Sequence, residues 1–404
     1  MISRQEIKYA MRNLLARKAR TFLTALSIFV GIATIFIFLS FGWGLWDYVN
    51  DIAAESGVDK VIVQARGTGA PGIDQTFKLE DKDLRAVERT KGISEAAGAY
   101  FQSGEVEKGD QKKYSFITGL PGDLRKNKLI VEMFTVDIRK GRPLRKGDSG
   151  KVVLGYNYIV PDRVFTKPVK IGEKIKIQDK KFEIVGVYDA IGNPSDDANV
   201  YLTENDFLDL YPDASYGFII GRANDIEAID AIAERVEKSL RKARDLEEGK
   251  EDFFVQTFQE AIDQFMGVLN IIIGFIILIA GISVVVSMIN TANTMVTSVL
   301  ERTKEIGIMK SIGARNATIR NIFILESSTI GAMAGIIGVA LGWFLTSTGA
   351  NLLDQLGFGF LSPHYSWQLF AGAVLFATVV GGISGLLPAI QASKQSPVDA
   401  LRYE

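Results

Sequence analysis

The chain has no cysteine. That excludes disulfides, thiolate metal sites, a cysteine nucleophile and a lipid-modified cysteine anchor. It has a single histidine, His364, too few for a histidine metal cluster and best read as an outer-loop residue. Neither sign of charge is in excess: 46 Lys and Arg stand against 47 Asp and Glu. No global field therefore points to nucleic acid, and basic and aromatic residues do not alternate as a nucleic-acid surface requires. There is no Gly-x-x-x-x-Gly-Lys-Ser/Thr phosphate loop, no Gly-x-Ser-x-Gly elbow and no His-Glu-x-x-His helix. Acidic pairs such as Asp196–Asp197 sit among turn residues without EF-hand spacing and read as solvated loops. The residues thus hold no catalytic centre, no metal site and no cofactor site of their own.

What is present is long apolar runs with charge gathered between them. Residues 1–20 carry Arg4, Lys8, Arg12, Arg17, Lys18 and Arg20 and have the spacing of an amphipathic cytosolic helix. Thr21–Trp46 is free of charge for about 26 residues, enough for a first crossing, and Trp43 and Trp46 close it as interfacial anchors. Gln264–Leu300 is a second run; as a helix it would measure about 55 Å, well over a hydrocarbon core of about 30 Å. Such a rod could link a domain outside the membrane to a cytosolic segment, provided no break falls near Gly274 or Gly281. Third and fourth crossings are expected over 319–347 and 367–390, ahead of a tail at 391–404. Lys and Arg crowd 1–20 and 301–320 and are absent from Ser347–Trp367. The positive-inside rule then puts both termini in the cytosol and 47–260 outside.

Residues 47–260 have the composition of a soluble α/β domain. Strands are expected at Lys60–Gln64, Ala97–Phe101, Tyr114–Thr118, Lys151–Leu154, Lys174–Ile177, Phe182–Tyr188, Val200–Leu202, Gly217–Gly221 and Phe253–Thr257. Helices are expected at Glu80–Thr90, Glu204–Leu210 and Ile226–Leu246. The order suggests one lobe made from 57–120 and 215–258, with a β-rich lobe (125–212) inserted.

The most patterned stretch is Glu301–Arg315, a charged interruption between two apolar runs. Read as a helix, it lines up Glu301, Glu305, Ile308 and Ile312 at i, i+4 spacing, widened by Ile306 and Met309; Lys304, Lys310 and Ser311 fall on the other side. Two carboxylates within an apolar stripe suit a protein groove better than lipid. Gly313 offers a stop. Behind it, Glu326 lies inside the third run, where a carboxylate needs a partner among the N-terminal arginines or in a polar contact between helices. Gly331, Gly335, Gly338 and Gly342 form a small-residue face suited to close helix packing.

Three segments together resemble the FtsX-like permeases of ABC transporters, a group that includes the macrolide exporter MacB and the lipoprotein-releasing permeases. They are Arg12–Ala33, Glu301–Arg315 with Glu326, and Gly385–Tyr403. Val152–Gly155 and Gly172–Val187 resemble the MacB-type periplasmic core domain. The resemblance implies a membrane protein of four transmembrane helices, with a large extracytoplasmic α/β domain between the first two and a short coupling helix between the second and third. It implies a dimer of identical or paralogous permeases served by two copies of an ABC ATP-binding subunit, which would hold ATP and Mg. Glu301, Glu305, Gly307, Lys310, Gly313 and Ala314 match the coupling motif, and Arg302, Ile306 and Ile308 lie within the segment. Full-length macrolide exporters carry an ATPase ahead of the first crossing; here only a short basic helix is expected there, so the ATPase would be a separate polypeptide. The implied role is export or extraction of peptides, lipids, lipoproteins or amphipathic drugs, with an extracytoplasmic adaptor or substrate protein as a further partner. The alternatives are a regulator of an extracellular cell-wall hydrolase or sensor built on the same frame, and a membrane-anchored binding protein without an ATPase.

Overall fold

The computed structural model describes residues 18–56, 58–67, 77–133, 137–396 and 400. The helix expected over 1–20 lies outside the described residues up to position 17. Nine α-helices are described: α1 (Lys18–Ser56), α2 (Asp81–Glu88), α3 (Leu124–Met133), α4 (Glu204–Leu210), α5 (Ile229–Arg244), α6 (Phe258–Glu301), α7 (Thr303–Ser311), α8 (Asn316–Gln355) and α9 (Trp367–Lys394). The strands are β1 (Lys60–Ala65), β2 (Ile93–Lys108), β3 (Gln111–Leu120), β4 (Ile138–Gly141), β5 (Lys151–Leu154), β6 (Lys174–Ile177), β7 (Lys180–Tyr188), β8 (Val200–Thr203), β9 (Tyr216–Ala223) and β10 (Phe253–Thr257). The chain divides into two compact units. One comprises 1–45, 268–351 and 362–404; the other comprises 46–267 and 352–361.

In the second unit all ten strands form one sheet, whose main path runs β10-β1-β9-β2-β3-β8-β5-β7-β4, with β6 paired to β2 and β7. Strands from 57–120 and 215–258 occupy one side of this order and strands from 125–212 the other. The insertion expected from the sequence therefore extends the same sheet, joined where β3 pairs with β8 in parallel. Central strands are apolar on both faces because both are covered. On β9, Ile219 joins the core under α2 and α5, whereas Phe218 and Ile220 join a second core that holds Leu129 and Ile130 of α3. α5 buries Ile232, Ala233, Val236 and Leu240, the i, i+4, i+8 face that its amphipathic sequence dictates. At its end Arg244 donates to both carboxylate oxygens of Asp252 at 2.8 and 2.6 Å and to Asp83 Oδ2 at 2.7 Å. That fork fixes α5 to α2 and to the approach of β10.

Among the described residues, four helices (α1, α6, α8 and α9) are long and apolar enough to cross a membrane. All four run past the limits that hydropathy suggested: α1 continues to Ser56, α6 covers Phe258–Glu301, α8 covers Asn316–Gln355 and α9 continues to Lys394. Charge ends an apolar run, but residues such as Asp47, Asp51 and Glu55 do not end a helix. α6 is continuous through Gly274 and Gly281. Burial separates the four: 56 % of the α8 window is buried but only 17 % of the α6 window, so α8 is the central helix.

The glycine face of α8 makes that position possible. A Cβ on Gly331 would meet the Ala377 carbonyl at 2.3 Å and one on Gly335 the Ala377 Cβ at 2.7 Å, both on α9. One on Gly338 would meet the Phe29 carbonyl at 2.8 Å and one on Gly342 the Phe36 ring at 2.9 Å, both on α1. A single small-residue face thus serves two neighbours, changing partner between Gly335 and Gly338. The connection into α9 is fixed from outside the helix: His364 N–H donates to the Ser40 carbonyl at 2.8 Å, and Ser366 caps α9 by accepting from Leu369 N–H at 3.3 Å.

Candidate functional site

α6 ends at Glu301, and the chain turns at Arg302 (φ −113°, ψ 18°) before α7 begins. α7 then closes in a Schellman motif. Gly313 takes φ 96°, its N–H donates to the Lys310 carbonyl at 3.0 Å, and Ala314 N–H donates to the Met309 carbonyl at 2.9 Å. A side chain at 313 would be strained in that left-handed conformation, so Gly313 and Ala314 set where the helix stops.

Three anchors hold α7. Ile306 is fully buried and Gly307 lies beside it on the inner side. Arg302, only 5 % exposed, donates from Nη1 to Glu326 Oε2 on α8 at 3.0 Å and from Nε to Glu305 Oε2 at 3.2 Å. Its guanidinium also lies 5.3 Å from the ring centre of buried Phe323. Lys310 Nζ donates to the Ser393 and Gln395 carbonyls at 2.6 and 2.7 Å, at the C-terminal end of α9, where the helix dipole favours a cation. The short helix is therefore pinned to α8 at its start and to α9 at its end.

The outward side carries Glu301, Lys304, Glu305, Ile308 and Ile312. Ile308 is 54 % exposed and Ile312 82 %. Burial supplies no driving force for leaving two isoleucines in water, so this side has the composition of a docking face. The sequence placed Ile306 in the same stripe as Ile308, but the structure turns it inward, because residues two positions apart on one helix lie on nearly opposite faces. Glu326 finds a partner in Arg302, a residue the sequence assigned to the segment without a role. The anchoring of α9 by Lys310 was not foreseen, because backbone carbonyls leave no mark in a sequence. No cluster of three or more His, Asp or Glu able to hold a metal occurs among the described residues.

Comparison with known proteins gives the family. Residues 21–239 match the MacB-like periplasmic core domain and residues 265–397 the FtsX-like permease C-terminal domain. The chain belongs to the MacB/FtsX-type permeases of ABC transporters. It is 31 % identical to an uncharacterized ABC transporter permease of Methanocaldococcus jannaschii over 98 % of both chains. It is 27 % identical to the uncharacterized ABC transporter permease YknZ of Bacillus subtilis, over 99 % of both. To the macrolide export ATP-binding/permease protein MacB of Chlorobium luteolum it is 27 % identical, covering 98 % of this chain and 60 % of that one. The periplasmic region of MacB from Actinobacillus actinomycetemcomitans is similar to 52 % of the chain at 17 % identity and a TM-score of 0.40. The protein is thus a membrane protein with an extracytoplasmic core domain between its first two long apolar helices.

Proposed function

We propose that this chain is the non-enzymatic half of an ABC machine, in which α7 receives motion from a separate ATP-hydrolysing subunit. ATP and Mg²⁺ would be held by that subunit. The observation that carries the reading is α7 itself: a helix pinned to α8 and α9 on one side and presenting Glu305, Ile308 and Ile312 on the other. An ordinary loop would not need an ion pair, a lysine cap and a glycine stop to hold two isoleucines outward. Two ATPase copies would serve two permeases, identical or paralogous, with both termini and α7 in the cytosol and 47–260 outside. The concentration of Lys and Arg in 1–20 and 301–320 supports that orientation. Movement of the core domain would then drive export or extraction of peptides, lipids, lipoproteins or amphipathic drugs, alone or with an extracytoplasmic adaptor. Co-purification with the ATP-binding subunit tests this. The double variant Ile308→Asp/Ile312→Asp, which leaves the Arg302 and Lys310 anchors intact, is expected to lose the subunit while its own melting temperature is unchanged; undiminished capture would remove α7 from the mechanism.

A further inference from the structure

The length of α6 makes it the obvious rod from coupling segment to core domain. A second connection is built differently, and it ends on Arg163.

Arg163 follows Asp162, itself held at φ 62°. Its Nη2 donates to the carbonyls of Asp354 and Gln355 at 3.3 and 3.1 Å, across 191 and 192 residues of sequence. Those carbonyls belong to the last turn of α8, where backbone acceptors lack intrahelical partners and the dipole attracts a cation. The helix stops there on Gly357 (φ 94°), whose N–H donates to Asp354 O at 2.9 Å while Phe358 N–H donates to Leu353 O at 2.8 Å. The other arm of the guanidinium, Nη1, donates to Asn157 Oδ1 at 2.8 Å, and buried Asn157 passes the contact on from Nδ2 to the Pro194 carbonyl at 3.0 Å.

Pro194 lies in a loop that is organised from within. Asp197, which the sequence suggested would be solvated, is 1 % exposed and accepts from the N–H groups of Ile191 and Gly192 at 2.7 and 3.1 Å. The same loop touches the 352–361 segment a second time: Phe360 N–H approaches the Gly192 carbonyl at 3.4 Å, and a Cβ on Gly192 would meet Phe360 N at 3.2 Å. Tyr48, near the outer end of α1, donates to the Ile191 carbonyl at 3.4 Å and packs on Phe360 with ring centres 5.6 Å apart.

We infer that α8 is a second output rod of this permease, fastened to the core domain by the Arg163 clasp. The inference rests on the reading of α7 given above. Near its start α8 carries Glu326, gripped by Arg302 beside α7; its last turn carries the two carbonyls gripped by Arg163. From Glu326 to Gln355, 29 positions on, the helix is unbroken, about 44 Å at 1.5 Å per residue. A displacement of α7 thus enters α8 through one arginine and leaves through another. Arg163 is a positioning residue: it fixes where the rod's end sits against the 189–198 loop, and its planar fork reaches Asn157 and the helix end together, which a lysine cannot do.

The test uses the full chain in lipid nanodiscs and measures hydrogen exchange. In the isolated permease, Arg163→Ala is expected to speed exchange in 352–361 and in 189–198 together, on the order of tenfold for loss of a charge-assisted bond, and to leave 303–311 unchanged. Arg163→Lys should fall near Arg163→Ala rather than near the parent. Because the chain has no cysteine, Arg163→Cys/Gln355→Cys gives a clasp that stands open until the two thiols are linked. In complex with the ATPase, a non-hydrolysable ATP analogue should alter exchange in 189–198 of the parent. The cysteine pair should lose that response and regain it after linking with a short bis-maleimide. An unchanged exchange pattern in Arg163→Ala overturns the clasp; a nucleotide response that survives the open clasp overturns the rod. Failure of α7 as a docking helix is read separately, from co-purification, whereas exchange in the isolated chain judges Arg163 with no partner present.

Discussion

Arg302 and Glu326 face each other at 3.0 Å, both almost fully buried, and join the turn before α7 to the middle helix of the bundle. Removing one member of such a pair strands the other charge, at a cost of about 3–5 kcal/mol; replacing both with apolar groups is often neutral. Arg302→Ala or Glu326→Ala should therefore lower the melting temperature sharply, while Arg302→Met/Glu326→Leu recovers most of the loss. The recovered variant should still couple poorly to an ATPase, because methionine no longer ties α7 to α8. Equal melting points for the double and single variants would mean that the pair is not what holds this turn.

The glycines of the apolar helices fall into two kinds. Gly331→Ala pushes a methyl into the Ala377 carbonyl and should destabilise by about 1–3 kcal/mol. Gly274→Ala on α6 meets nothing within 4 Å and should be neutral or stabilising, since alanine favours helix by roughly 1 kcal/mol. Detergent melting curves of the two variants, read together, check whether α8 occupies the centre.

Gly44 has a sharper restriction, because a Cβ there would lie 1.7 Å from the Ser362 carbonyl. Gly44→Ala must displace the 362–364 segment and break the bond from His364 N–H to the Ser40 carbonyl. Faster amide exchange at His364 and Tyr365 is the expected sign, with α7 unaffected.

The core domain should be sensitive to alkali through Tyr100. Burial, with smaller contributions from the charges of Glu204 and Asp81, pushes its phenol up to about 12, while a bond from Tyr216 opposes the rise. A folded-state value above the unfolded one of about 10 means that the phenol's contribution is complete below about pH 10. It is lost as pH climbs through about 12. Tyr100→Phe should therefore flatten the decline of the urea midpoint over that interval and change little at pH 7. A decline as steep as the parent's would place the alkaline sensitivity elsewhere.

Strands such as Lys151–Leu154, Lys174–Ile177 and Phe253–Thr257 were legible because short apolar runs stood between turn residues. β2 was read as only Ala97–Phe101 although it runs from Ile93 to Lys108. Its far half alternates Glu105, Val106 and Glu107 opposite β3, a ribbon whose polar positions mask the strand. α3 was missed because Arg125, Lys126 and Lys128 hide its buried positions Leu129 and Ile130, and β4 because four residues carry too little pattern. Within the candidate site, the exposed Glu305–Ile308–Ile312 side and the Gly313 stop could be read in advance. Both depend on neighbours one or two turns away.

Hydropathy and local spacing alone determined where the chain is apolar enough to cross a membrane, that a mixed domain separates the first two crossings, and that a short charged helix interrupts the later ones. Each of these depends on residues close together in the chain. Which arginine meets Glu326, how one glycine face divides between α9 and α1, and that Arg163 closes on the end of α8 were decided only by packing. Those contacts join residues from 24 to more than 300 positions apart, and their distances exist only once helices and sheet have taken their places.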